Sequence, residues 1–390
     1  MTEDSPRRWT LPHEPPLVTA DLLPLGGRLG FSPEDFAVEE IPAYLPSGEG
    51  DHRFVRICKR NLSTPEMVTL VARTSDTAER DIGTAGLKDK HAITTQWISL
   101  PRRSRQASEW QLPETIQVLE ESYHNNKLRT GHLHGNRFTL RLVELNVDAA
   151  ERLPALVDRL RQGVANAFAE QRFGRDGQNI QSALSWLADP RQLRGPKARF
   201  LSKLYPSVIQ SELFNRYLSR RLALGLDRVL AGEIVRLDQS GSNFVVEDLA
   251  LEQPRYENGE LCPQGPMFGP KMRSAKDAAL ELEQQVLADA GVTSEQLDQL
   301  GSHAPGTRRD VVLKPTDLEV VLEEVQIANV TAGLTGTHLR AETDSPTPTA
   351  RLSFSLPAGS YATHLVRELT HGAWFEARVR PPQNPEPNSG

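Results

Sequence analysis

Asp89 stands between Lys88 and Lys90 in the stretch "GTAGLKDKHAITTQ", Gly83 to Gln96, and a single carboxylate so placed could act as a nucleophile or a base. Gly83 and Gly86 permit backbone angles that other residues avoid, so the segment reads as a tight loop entering the strand-like "ITTQWISL". The plain alternative is a solvated loop whose charges only keep it wet. Four further constellations could carry chemistry. "SPEDFAVEEIP" places Phe36 among carboxylates after a Ser32–Pro33 cap, and "HLHGNRF" offers His132 and His134, then Asn136 and Phe138 where a strand begins. "AEQRFGRDGQN" reads as the end of a helix, and "LPAGSYATHLVREL" as a strand, a glycine turn and a helix with Tyr361 at the junction. An HxH pair on a strand could bind a metal, yet two ligands without a suitably spaced third are a weak set. No P-loop, GxGxxG or GxSxG occurs, so phosphoryl transfer and serine hydrolysis have no anchor.

These residues need elements to hold them. A chain of 390 residues predicts two or three domains. From about Leu29 to Leu145 the pattern is mainly strand, in "RFVRIC", "TTQWISL" and "RFTLRLVEL", with helix-like "TPEMVTLVARTS" between the first two. Leu153, Leu156, Val157, Leu160, Val164 and Phe168 share one helical face. Beyond 163 the texture turns to helices and irregular loops, including "SAKDAALELEQQVLADAG" with Ser274 as N-cap, Asp277 in its first turn and Gly291 as its stop. Strand-like "RLSFSL" and helical "ATHLVRELTHGAWF" then return to the first texture. The reading is α+β, one domain over 28–162 and 336–380 interrupted by an inserted domain over 163–335, with mobile ends at 1–27 and 381–390.

Hydrophobic content of 38% and charged content of 25% suit a soluble globular chain, with no membrane span and no secretion signal, hence a cytoplasmic protein. Cys58 and Cys262 are expected to be small buried apolar residues. The formal charge is −6, but "RFVRICKR", "RRSR", "KLRTGHLHGNRFTLR" and "NRYLSRR" cluster arginines and lysines into a candidate basic face for phosphates.

"SPEDFAVEE", "AGLKDKHAITTQ", "KLRTGHLHGNRF", "EQRFG" and "LPAGSYATHLVREL" follow one another as in the TruD family of tRNA pseudouridine synthases, and the chain resembles that family from about Leu29 to Leu369. The resemblance implies a pseudouridine-synthase catalytic domain of mixed, mainly antiparallel sheet with helices, interrupted by an inserted α+β TRUD domain. It also implies tRNA as partner, no cofactor, no metal, and no obligatory protein partner. Uridine would be isomerised at position 13 of the D-arm, with Asp89 catalytic and Phe36, Asn136, Phe138 and Tyr361 around the substrate. Phe138 is the expected stacking ring. Arg367 is a candidate basic neighbour of Asp89. Gly30 departs from the family, which often has a basic residue there, and Arg28 is one source of the missing charge; Ala167 and Ala169 depart from the helix motif before "QRFG". Two rival readings are a non-catalytic RNA-binding or RNA-folding protein, and a metal-dependent hydrolase built on His91, His132 and His134.

Overall fold

The structure is a computed structural model that describes residues 13–169, 172–174, 177–189, 191, 193–323 and 347–372. Its first part lays down β1 (Arg28–Leu29), β2 (Phe36–Pro42), β3 (His52–Arg60), helix α1 (Thr64–Ser75), β4 (Gly83–Thr84) and β5 (Ile93–Pro101). β6 (Ile116–His124), β7 (Leu133–Val143), α2 (Ala149–Gln162) and β8 (Val164–Ala165) follow. The middle of the chain holds α3 (Gln178–Ala188), α4 (Ala198–Ala223), β9 (Ile234–Leu237), β10 (Asn243–Val245), α5 (Leu249–Glu257) and β11 (Leu261–Met267). It continues through α6 (Asp277–Ala290), α7 (Ser294–Leu300), β12 (Thr307–Asp310) and β13 (Val312–Leu313). β14 (Thr316–Glu323), β15 (Thr349–Pro357) and α8 (Thr363–Thr370) come last.

Nine strands form one sheet in the order β14-β15-β7-β2-β5-β3-β6, with β1 on β7 and β4 on β5. Only the β2–β5 pairing in it is parallel, so the mixed, mainly antiparallel α+β class expected from sequence is what is seen. Strand alternation explains its packed face: Val55 and Ile57 on β3 and Ile98 and Leu100 on β5 meet Met67 and Val71 of α1. Ser63 and Glu66 close a capping box that starts α1. On the other half of the same sheet, Phe138, Leu140, Phe354 and Leu356 meet Leu156 and Leu160 of α2 and Leu365 and Leu369 of α8. The middle region has its own core around Phe168, Phe173, Phe214 and Tyr217, and a second sheet in the order β10-β9-β11-β12.

Several boundaries differ from the sequence reading. The helix expected to reach Phe168 stops at Gln162, because Gly163 turns to φ 118° and Val164–Ala165 pair with β13. Phe168 then joins the middle core. The chain is back in the large sheet at β14, ahead of residue 336. α6 starts at Asp277 behind Lys276, leaving Ser274 outside the helix, whereas Gly291 ends it in the left-handed conformation as expected. Cys58 and Cys262 are only half-buried, though the packing around the Cys262 thiol pushes it up to about 12. The expected tail over 381–390 lies outside the described residues.

Residues 13–27, read from sequence as part of a mobile end, form a strap across the two regions. The His13 amide donates to Glu212 of α4 at 2.9 Å, and Val18 and Thr19 donate their amides to Glu368 of α8. Leu25 and Thr19 are fully buried. A second tie runs from α8 to the segment after β8, where the His364 Nε2–H donates to the Ala167 carbonyl at 2.7 Å.

Burial pushes the His364 imidazole down from its usual value to about 4, so it stays neutral in the folded chain while the unfolded chain titrates near 6.5. Between those values the unfolded state binds the extra proton, and this contribution to stability falls as pH falls. Thermal unfolding at pH 7, 5.5 and 4.5 is expected to show a steeper acid loss in the native chain than in His364→Asn. Equal losses would take His364 out of the account.

Candidate active site

The loop between β4 and β5 is fastened on three sides. Gly83 begins it by lying against the Leu128 carbonyl, which a Cβ would approach to 2.2 Å. Close approach therefore demands this glycine; neither Gly83 nor Gly86 has a positive φ, contrary to the sequence reading. Beyond it, the Lys88 amide donates to Thr64 Oγ1 at 2.9 Å, and that hydroxyl donates to Gln96 at 3.0 Å. The Lys88 ammonium turns inward to Glu40 at 3.0 Å, with both side chains nearly inaccessible. Burial pushes the Glu40 carboxyl up and Lys88 pulls it back down, with burial the larger influence. Lys90 turns outward to Glu66 of α1. Asp89 is left between them, half-buried, with its carbonyl held by Lys59 at 3.0 Å.

Asp89 lines a cleft of about 540 Å³, and Phe36, Asn136, Phe138 and Tyr361 line it too. All five residues, singled out from four motifs, thus meet in one place. β2 and β7 supply three of them through adjacent positions: Val38 pairs with Phe138, Phe36 with Leu140 and Glu40 with Asn136, which puts their side chains on one sheet face. Phe138 packs edge-on against Phe36 at 6.4 Å and stacks on Phe354 at 5.4 Å, so the wall is rigid and mostly buried. Asn136 Oδ1 is shielded from water and finds no hydrogen-bond partner among the described residues. Such an atom is costly to leave unmet, and a ligand N–H would satisfy it. The Thr363 hydroxyl, in the same lining, is also shielded and without such a partner.

Tyr361 sits where the two regions join: it lines the cleft and also packs on the middle core. The Arg309 guanidinium reaches the carbonyl of Gly359 in the same turn and lies over the Phe168 ring at 4.3 Å. Burial lowers it to about 10. Arg309, Lys59, Glu40 and Thr64 were not singled out from sequence. The available sign was phase: Lys59 follows Val55 and Ile57, and Glu40 follows Phe36 and Val38, at the two-residue spacing of an inward strand face.

Other candidates go elsewhere. Arg367 pairs with Glu14 at 2.7 Å and donates to the Pro15 carbonyl, serving the strap. Arg28 pairs with Glu144 and covers the Phe31 ring, outside the cleft lining. His132 accepts from or donates to the Tyr44 hydroxyl at 2.7 Å, and among the described residues no three His, Cys, Asp or Glu side chains gather as metal ligands. The expected basic face is thinner than the clusters suggested. Arg53 pairs with Glu121, Arg56 with Glu39, Arg60 with Glu34 and Arg221 with Glu233. Arg129 and Arg137 stay exposed, and Arg129 adjoins the cleft residues Thr130 and Gly131. No helix among the described residues is long and apolar enough to cross a membrane.

A sheet-borne carboxylate loop with aromatic walls, where the large sheet meets the middle region, defines an α+β protein built around a polar-and-aromatic cleft. Comparison with known proteins narrows the class. The family model described as tRNA pseudouridine synthase D (TruD) matches residues 16–182 and 197–369. A tRNA pseudouridine synthase D of Anaeromyxobacter sp. (strain Fw109-5) is 39% identical over 358 residues, covering 91% of this chain and 95% of its own. One from Thermus thermophilus is 36% identical over 362 residues, with 92% of each chain covered. A crystal structure from Methanosarcina mazei bearing the same enzyme name superposes with a TM-score of 0.70 at 23% identity, covering 93% of this chain and 97% of its own, a likeness of fold. This chain belongs to the TruD family.

Proposed function

We infer that the chain isomerises uridine to pseudouridine in tRNA, at position 13 of the D-arm, with Asp89 as the catalytic residue. The observation that carries this reading is the convergence of Asp89, Phe36, Asn136, Phe138 and Tyr361 on one cleft, joined to the names of the relatives. The reaction breaks the N1–C1′ bond, turns the uracil and closes a C5–C1′ bond, while C5 gives up its proton and N1 takes one. An ionised carboxylate can add to the nucleoside or accept a proton, and either role needs the open side of the loop that Asp89 occupies. The target base has to leave its stack, at a cost of a few kcal/mol, and each base–aromatic contact returns about 1–3 kcal/mol. In this reading Phe138 and Tyr361, which line the cleft, supply such contacts, and Asn136 meets the base edge.

An isomerisation draws on no external energy source, so the reaction needs no ATP, and on the family resemblance it runs without metal or organic cofactor, in the cytoplasm and without an obligatory protein partner. A non-catalytic RNA-binding protein would need the exposed arginines and not a shaped cleft around a carboxylate. The test is tritium release from tRNA labelled at C5 of uracil, in excess chelator and without nucleotide. Release, with pseudouridine mapped to position 13, is the expected result. Folded protein that releases nothing from unmodified tRNA would sink the reading.

A further inference from the structure

Lys59 is completely buried at the inward end of β3, under the loop that carries Asp89. Lysines are almost never fully buried unless paired with a carboxylate, since removing an ammonium from water costs several kcal/mol. Here the hydrogen-bond acceptors are two neutral carbonyls, those of Leu62 and Asp89, and among the described residues no carboxylate lies within ion-pairing distance. A neutral donor could satisfy two carbonyls, and an apolar residue would pack there more cheaply. Of the carboxylates that favour the retained charge, the strongest influence is that of Asp89, the residue whose backbone it holds.

We propose that Lys59 is a positioning residue for Asp89, its buried charge fixing the backbone of the loop from beneath and balancing the carboxylate that works in the cleft. The proposal rests on the reading of Asp89 given above. Burial pushes the Lys59 ammonium down to about 8; Asp89 is the main influence keeping it protonated, Lys88 works against the proton, and Glu66 of α1 and the neighbouring Cys58 favour it. Loss of that proton removes the charge and leaves N–H groups for both carbonyls. Activity and stability should then part company. Above pH ~8 the charge disappears and activity falls, whereas between 8 and 10.5 the unfolded chain binds more protons than the folded one, so this group's contribution to stability rises with pH.

The experiment measures kcat/KM on tRNA from pH 6.5 to 9.5, with thermal unfolding at each pH, for the native protein, Lys59→Met and Lys59→Arg. The native rate is expected to fall roughly tenfold per unit above pH ~8, as for loss of one required proton. Lys59→Met is expected to be on the order of 100-fold slower at pH 7, with unchanged tRNA affinity and no alkaline fall. Lys59→Arg, whose charge persists, should recover about tenfold or more and stay level to pH 9.5. A folded Lys59→Met with native rate and profile overturns the proposal. So does a native profile that is flat to pH 9.5, which decides the matter alone should the Met variant not fold. A fall that persists unchanged in the Arg variant belongs to the substrate and overturns it as well. A native protein inactive at every pH would instead strike the reading of the site, and Lys59 with it.

Discussion

Asp89→Asn is expected to reduce single-turnover pseudouridine formation by on the order of 10⁴-fold or more, with melting temperature and tRNA affinity close to native. The substitution preserves shape and removes one negative charge. The fold should tolerate it, because the loop is held through the Lys88 amide, the Lys88 ammonium and the Asp89 carbonyl, and the Asp89 carboxylate makes no hydrogen bond or ion pair among the described residues. Lys59 loses the neighbour that most favours its charge, yet it can shed its proton and keep both carbonyl bonds, and a carboxylate that makes no direct contact is available for chemistry. Retained turnover beyond a trace, measured with enzyme in excess over tRNA, would transfer the catalytic role to another group in the cleft.

The same loop shows what was legible in the sequence and what was not. Asp89, Asn136 and Phe138 could be picked out because local motifs set their spacing, whereas "SPEDFAVEEIP" was read as a cap and not as β2, whose alternation puts Phe36, Val38 and Glu40 on one face. Which strands stand side by side is a matter of long-range pairing that no local pattern states. β2 lies between β7 and β5, and only that order brings "SPEDF", "KDK" and "GNRF" together. Charge was the least legible property. Clustered arginines looked like a phosphate-binding face, yet Arg53 and Arg221 are buried against Glu121 and Glu233, partners 68 and 12 residues away. The prolines and polar groups near the start looked mobile, because the carboxylates of Glu212 and Glu368 that fasten the strap lie about 200 and 350 residues on.

Breaking the buried pair beneath the catalytic loop should have the largest effect on stability of any single change near the site. In Glu40→Ala the Lys88 ammonium, 4% exposed, loses its only ion-pair partner among the described residues. Uncompensated buried charges of this kind cost about 3–5 kcal/mol. Lys88→Met should cost less: burial already pushes the Glu40 carboxyl up, so without Lys88 it takes a proton and remains in place as a neutral acid that still accepts from the Trp97 amide. Removing both ends as Glu40→Leu with Lys88→Met should return most of the stability, since well-packed apolar pairs often match or better a buried ion pair. Turnover should not return with it. The ammonium tethers the residue next to Asp89 to β2, and a leucine–methionine contact has no directional bond to fix the loop at that point. Urea unfolding of the four proteins gives the coupling energy, and single-turnover rates on tRNA give the second axis. A double variant that regains stability and activity together would reduce the Glu40–Lys88 pair to packing, leaving the Thr64 and Lys59 bonds to position Asp89.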